Sequence, residues 1–320
     1  MSETTQVSPG ILISVIVPVF RSQSTLEPLV MRAQLALMGT SHEIVFVDDG
    51  SPLNTWAEIK RLSQQHHHVH GIRLSRNSGQ HSALLAGVRS ARGAVIVTID
   101  DDLQNPPEEI PKLLACLSDE IDLVYGNPRR IAQSWWRRWS SSAVRRFLGS
   151  VLNADNVRNS SSFRAFKTPL RDGFGSELGP SVSLDALLSW ATTRSTSVEV
   201  EHAPREEGTS HFNLRRLLRF AVDTITGYST APLQAVLALG FVTAFFGLGL
   251  LAWVVGRSIF AGTSVPGFAF LASTIALFSG VQLMTLGVIG EYLSRMHFRV
   301  MNKPSYVIAE QTDAVSDLGL

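Results

Sequence analysis

Between Ile11 and Tyr125 the chain alternates short apolar runs with segments of helical periodicity, and this alternation limits the possible folds more than any other feature. Runs of apolar and β-branched residues predict strands at Leu12 to Val17, Glu43 to Val47, Gly71 to Leu74, Ala94 to Ile99 and Asp122 to Tyr125. Helical spacing lies between them, as in Leu26, Leu29, Val30, Ala33 and Leu37, and again in Ala83, Leu84, Gly87 and Val88. Strict strand–helix alternation predicts an α/β domain with a mostly parallel sheet covered on both faces. Such sheets bind ligands beyond the carboxyl ends of their strands.

Two of these strands end in acids. Ile96-Val97-Thr98-Ile99 runs into Asp100-Asp101-Asp102-Leu103-Gln104, and Phe46-Val47 runs into Asp48-Asp49-Gly50-Ser51. Three adjacent carboxylates repel one another unless a positive charge lies among them, and hard oxygen ligands suit Mg²⁺ or Mn²⁺ carrying a nucleotide diphosphate. Taken alone, the triplet fits an acidic helix N-terminus equally well, with Glu108 and Glu109 close behind. An isolated Asp-Gly is more often a plain turn. Two acidic strand ends in one sheet favour a shared nucleotide site, where a carboxylate accepts hydrogen bonds from a ribose hydroxyl or a base N–H. No Gly-rich phosphate loop follows any strand, so metal and basic side chains must hold the diphosphate, which argues against a dehydrogenase or a kinase.

The second half differs in composition. No charged residue occurs from Ala231 to Gly256 or from Ser258 to Gly290, with Arg257 alone between them. About 20 apolar residues cross a bilayer core, so two membrane helices are expected, at 231–256 and 266–290. Arg215, Arg216 and Arg219 precede them and Arg295, Arg299 and Lys303 follow, which places both termini on the cytoplasmic side. Leu214, Leu217, Leu218, Ala221, Val222 and Ile225 share one helical face, so 213–230 reads as an interfacial amphipathic helix. Residues 1–10 read as a flexible lead without signal-peptide character. Cys116 is the only cysteine, in keeping with a reducing compartment. With 28 basic and 27 acidic residues the charge gives no reason to expect nucleic acid as a partner.

Several ordered motifs carry a resemblance. Ser14-Val15-Ile16-Val17-Pro18-Val19-Phe20, Val47-Asp48-Asp49-Gly50-Ser51, Arg76-Asn77-Ser78-Gly79-Gln80-His81-Ser82-Ala83 and Asp100-Asp101-Asp102-Leu103-Gln104-Asn105-Pro106-Pro107-Glu108 resemble those of family-2 glycosyltransferases with a GT-A, Rossmann-like fold. Within that family the chain is most similar to membrane-bound polyprenyl-phosphate glycosyltransferases, namely undecaprenyl-phosphate glucosyl and aminoarabinose-type transferases and dolichyl-phosphate mannose synthase. The likeness runs from about Ile11 to Ile308. It implies a cytoplasmic catalytic domain over 11–212 and a cytoplasmic tail over 291–320.

The resemblance also assigns roles. It implies that Asp100, Asp102 and Gln104 hold the metal, and that Pro18, Val19, Asp48, Asp49 and Asp101 surround the nucleotide. Arg205 and Ser210 match a mobile Arg-x-x-Gly-x-Ser loop over the diphosphate, with Arg205 also stabilising the leaving group. Arg129, Arg137 and Ser141 are implied for the acceptor phosphate, beside the Trp135-Trp136 and Trp139 cluster expected at a bilayer interface. Implied partners are a nucleotide sugar, with UDP favoured over GDP, a polyprenyl phosphate, the inner membrane and further copies of the chain, a tetramer among the possibilities. A processive polysaccharide synthase and a non-catalytic membrane scaffold are the competing readings.

Departures from the family pattern matter too. Ser162 stands where many relatives have an acid before Phe163-Arg164. Asp101 replaces a small residue in the metal motif, Gly126-Asn127-Pro128-Arg129 replaces a common Gly-x-Arg, and His211 and Phe212 stand where Lys and an aromatic are common. Asp185 is left open between an acceptor-facing base and a helix-surface acid.

Overall fold

The computed structural model describes residues 12–52, 54–128, 161–175, 183–203, 231–261, 267–301 and 304–312. Two compact units divide the chain, one comprising 1–212 with 302–320 and the other 213–301. The expected sites Arg129, Arg137, Ser141, Arg205 and Ser210, and the expected interfacial helix at 213–230, lie outside the described residues.

Five strands form where apolar runs predict them: β1 (Ile13–Val19), β2 (His42–Asp48), β3 (Val69–Leu74), β4 (Val95–Thr98) and β5 (Leu123–Pro128). Helices α1 (Leu26–Ala36), α2 (Thr55–Gln65), α3 (Gln80–Ser90) and α4 (Ile110–Ala115) connect them. Beyond these come β6 (Arg164–Lys167), α5 (Leu184–Ala191), β7 (Ser195–Val200) and, from the chain's end, β8 (Ile308–Gln311). The sheet order is β7-β5-β6-β4-β1-β2-β3-β8.

The centre of this sheet is parallel, with β1 paired to β2 on one side and β4 on the other, and β2 paired to β3. Alternating residues bury both faces, as the side-chain period of two requires. Val15, Val17, Ile44, Phe46 and Val97 pack on one side with Leu26, Leu29, Ile59 and Ile110. On the other, Ile16, Val45, Val47, Ile72 and Ile96 pack with Leu84, Leu85, Val88 and Leu187. A side chain at Gly87 would meet Ile16 Cγ2 at 2.3 Å, so this glycine sets how closely α3 approaches β1.

Local periodicity did not reveal two strands, β6 and β8, whereas the run from Val198, which reads as a strand entering a polar loop, forms the end of β7. β6 runs antiparallel between β4 and β5, and β7 lies parallel to β5. β8 runs antiparallel along β3 and covers what would otherwise be an open edge. Part of the expected tail thus belongs to the sheet of the first unit: Gly71 N–H donates to Thr312 Oγ1 at 2.9 Å, and Ser75 N–H to Val307 O at 2.9 Å.

In the second unit both uncharged runs are helical, as α6 (Ala231–Ala261) and α7 (Gly267–Val300). Each extends past its expected end at 256 or 290. The Phe278 ring packs against Gly247, where a Cβ would lie 2.9 Å from Cζ. Among the described residues one stretch, Pro232–Val254, is long and apolar enough to cross a membrane by length and composition. The first expected span is therefore a candidate on those grounds, and the second is a helix.

Candidate active site

The order β3-β2-β1-β4 reverses direction between β1 and β4, which makes the carboxyl ends of these strands the natural ligand site. Four stretches singled out by sequence meet there. Val19 ends β1 opposite Asp48 of β2, Asp49 N–H donates to Val19 O at 2.9 Å, and Ile99 N–H donates to Ile16 O at 3.1 Å just before the acidic triplet.

Asp48 is fully buried. Its Oδ1 accepts the Ser51 N–H at 3.0 Å, while its Oδ2 has no hydrogen-bond partner and lies 3.6 Å from Arg73 Nε. Asp49 accepts the Ser78 and Gly79 N–H groups at 2.6 and 2.9 Å. This carboxylate fastens the Asp-Gly turn to the loop before α3. Gly50 adopts φ +65°, and a Cβ there would lie 2.6 Å from the Arg76 carbonyl carbon, so two sequence motifs pack against each other through a residue that must lack a side chain. Burial raises the Asp49 pKa, opposed by those two N–H donors.

Asp100 is held at both oxygens. Gln80 Nε2 donates to Oδ1 at 2.8 Å and Ser162 Oγ to Oδ2 at 2.6 Å. Burial nevertheless pushes its pKa up, the Ser162 bond lowers it and the charge of Asp102 raises it. Asp101, beside Ser22 and the Phe20 backbone, is pushed up to about 6, mainly by burial, and its Oδ2 is enclosed without a hydrogen-bond partner. Asp102 Oδ1 accepts the Gln104 N–H at 3.1 Å. Between them Leu103 adopts φ +56°, sparsely populated for a residue with a side chain, and its burial in the core fixes the sharp turn.

The donor set fits a hard divalent cation. Two carboxylates and a Gln oxygen supply hard ligands, and crowded acids with raised pKa values are stabilised when a positive charge joins them. Among the described residues no group of three or more His, Cys, Asp or Glu side chains could enclose a metal by itself. Mg²⁺-type sites commonly use one or two carboxylates and complete the shell with substrate phosphates.

After β7 the chain returns to this point. Ala203 N–H donates to Gln104 O at 2.8 Å, and Glu201 N–H to Glu109 Oε2 at 3.3 Å. One residue, Pro204, separates this anchor from the sequence position of Arg205.

Behind Asp100 lies a charged group that sequence reasoning missed. Arg164 is 1% exposed, ion-paired with Asp185, and its guanidinium lies 5.8 Å from the centroid of the Tyr125 ring. Asp185 is therefore the counter-ion of a buried cation, a role between the two left open by the sequence. An arginine inside the apolar run Phe163-Arg164-Ala165-Phe166 was the available signal, since a buried guanidinium requires an anion. Nearby His81 is held below its ordinary pKa by burial, with Asp185 opposing that shift.

The fold and this acidic strand-end site define a nucleotide-sugar-binding class of α/β domain. The model of glycosyl transferase family 2 matches residues 14–173, 160 of the 320, and the chain belongs to that family. Solved structures similar to it include glucosyl-3-phosphoglycerate synthase from Mycobacterium tuberculosis with Mn²⁺, UDP and phosphoglyceric acid. That match has 18% identity and a TM-score of 0.52, and covers 68% of this chain and 77% of that one. The same enzyme with Mn²⁺, UDP and glucosyl-3-phosphoglycerate matches at 18% identity and a TM-score of 0.51, over 68% and 78%. At this identity the likeness establishes a shared fold.

Proposed function

We propose that this family-2 glycosyltransferase moves a sugar from a UDP-sugar to the phosphate of a membrane polyprenol of the undecaprenyl type, with inversion at the anomeric carbon. One observation carries the reading: Asp48, the Asp100–Asp102 triplet and the 201–203 segment that leads to Arg205 converge at the sheet's switch point. UDP as the donor nucleotide accords with the Mycobacterium tuberculosis structures, which hold UDP with Mn²⁺.

Pro18, Val19 and Asp48 border the nucleoside, with Asp49 shaping the adjoining loop and Asp101 bordering the nucleotide. Asp100, Asp102 and Gln104 would hold Mg²⁺ or Mn²⁺. When bound, such an ion supplies positive charge where the departing diphosphate becomes more negative. Arg205 adds a guanidinium fork to the same oxygens and Ser210 a hydroxyl, with the loop closing over the diphosphate. Gln80 and Ser162 keep the Asp100 carboxylate oriented.

Arg129, Arg137 and Ser141 bind the acceptor phosphate. That phosphate is the nucleophile and is ionised near neutral pH, since its second pKa is about 6, so no strong general base is needed. The pairing of Asp185 with Arg164 accords with such a mechanism, because its carboxylate is engaged by a buried cation. The acceptor's chain stays in lipid, and the apolar Pro232–Val254 stretch supports a catalytic domain kept at the membrane. We place the protein in the inner membrane as a homo-oligomer, with both α6 and α7 crossing and both termini cytoplasmic.

The test offers membranes containing the protein a panel of radiolabelled UDP- and GDP-sugars with Mg²⁺ or Mn²⁺. Label should enter chloroform-soluble lipid from one UDP-sugar and be lost with chelator. Folded protein that labels no lipid with any donor contradicts the proposal.

A further inference from the structure

Strand β8 brings an acid from the end of the chain to the nucleotide side of the sheet. Glu310 stands opposite Arg73 in the β3–β8 register. Its Oε1 lies 3.2 Å from Arg73 Nη1, and its Oε2 accepts the Trp56 indole N–H at 2.6 Å. The same Arg73 stands opposite Asp48 in the β2–β3 register, with its Nε 3.6 Å from Asp48 Oδ2.

One guanidinium thus links a strand at the sheet's edge to a fully buried carboxylate near its centre. That link is slack at its inner end. At 3.6 Å Arg73 attracts Asp48 without a hydrogen bond, and the enclosed Oδ2 has no other donor. A buried carboxylate oxygen left in this state is costly, so a small advance of Arg73 or a donor from a ligand is stabilising. Where Arg73 rests depends on Glu310. The indole bond and the guanidinium together hold the Glu310 carboxyl below its ordinary pKa, keeping it charged.

We propose that Glu310 and Arg73 are positioning residues for Asp48, so that docking of β8 and occupancy of the nucleotide site are thermodynamically linked. The proposal rests on Asp48 facing the nucleoside. Linkage is reciprocal: if a docked β8 favours nucleotide, bound nucleotide must favour a docked β8 by the same factor. Strand β8, which follows α7 in sequence, then acts as a strap that tunes donor affinity.

The experiment uses the full-length protein in detergent, with UDP and Mn²⁺ as the probe. Calorimetry measures UDP affinity, and hydrogen exchange with mass spectrometry follows residues 304–312. In the wild type, saturating UDP slows exchange across 304–312. Glu310→Gln keeps an acceptor for the Trp56 indole while removing the charge, so β8 stays docked. It weakens UDP binding about two- to fivefold, the scale of a half-exposed ion pair, and diminishes the UDP-dependent slowing. Arg73→Lys, which retains charge but loses the fork, weakens UDP binding and loses the slowing as well.

UDP binding of wild-type strength in both variants, with exchange at 304–312 indifferent to UDP, overturns the linkage while leaving the nucleotide site intact. Absence of UDP binding to the wild type overturns the underlying site assignment and the linkage with it.

Discussion

Ser162 Oγ donates a 2.6 Å hydrogen bond to Asp100 Oδ2, joining the loop before β6 to the acidic end of β4 across 62 positions of sequence. A carboxylate at position 162 would place two acids in contact, whereas a hydroxyl gives Asp100 a donor. Groups that orient a metal-binding carboxylate commonly carry a tenfold or larger share of metal affinity. Ser162→Ala should therefore weaken Mn²⁺ binding about tenfold, measured by calorimetry with UDP present, while the melting temperature changes little. Unaltered Mn²⁺ affinity would separate Ser162 from metal binding.

Asp102→Asn removes one hard anionic ligand and keeps the side-chain shape. Transfer should fall about a hundredfold or more, the scale expected when a principal electrostatic contributor is lost, with circular dichroism unchanged. Retained activity would exclude Asp102 as a metal ligand.

Asp101 gives a pH signature in the metal-free protein. Its folded-state pKa is raised to about 6 from 3.8, so the folded chain binds the proton more tightly than the unfolded one. This group's contribution to stability is fully present below about pH 4 and is lost as pH rises through about 6. Asp101→Asn should then stabilise the chelator-treated protein by about 1–3 kcal/mol at pH 7.5, and the gain should shrink steadily towards pH 5. Denaturant unfolding at both pH values checks this, and a gain independent of pH would contradict it.

The Arg164–Asp185 pair predicts non-additivity. Asp185→Asn leaves a guanidinium that is 1% exposed without its counter-ion and should cost about 2–4 kcal/mol. Adding Arg164→Met removes the stranded charge and should recover part of that loss. Unfolding measurements on the two single variants and the double variant complete the cycle, and full additivity would show that the two side chains are energetically independent.

Much of the parallel sheet could be read directly, because a strand buried on both faces announces itself as an unbroken apolar run, as Ser14 to Val19 and Ile96 to Ile99 do. The strands that escaped are short or bear charge. β6 begins with Arg164 and ends with Lys167, and β8 contains Glu310 and Gln311. Their pairing partners lie far away in sequence, so no local period marks them.

The candidate site divides similarly. Acids at strand ends stood out as interruptions of apolar runs, and with them Asp48 and the triplet. The groups that hold them did not, because Gln80, Ser162 and Arg73 are unremarkable residues until folding places each beside a carboxylate. The neutral-looking Asp49 turn likewise gains its meaning only from the Ser78 and Gly79 N–H groups opposite it.

A competition between two acceptors decides which phosphate receives the sugar. Purified full-length protein receives the labelled UDP-sugar, Mn²⁺ and equal concentrations of undecaprenyl phosphate in detergent and 3-phosphoglycerate, and the product is partitioned between chloroform and water. Label is expected in the chloroform phase, dependent on the polyprenyl phosphate and abolished by chelator. Label confined to the water phase and dependent on 3-phosphoglycerate would contradict it.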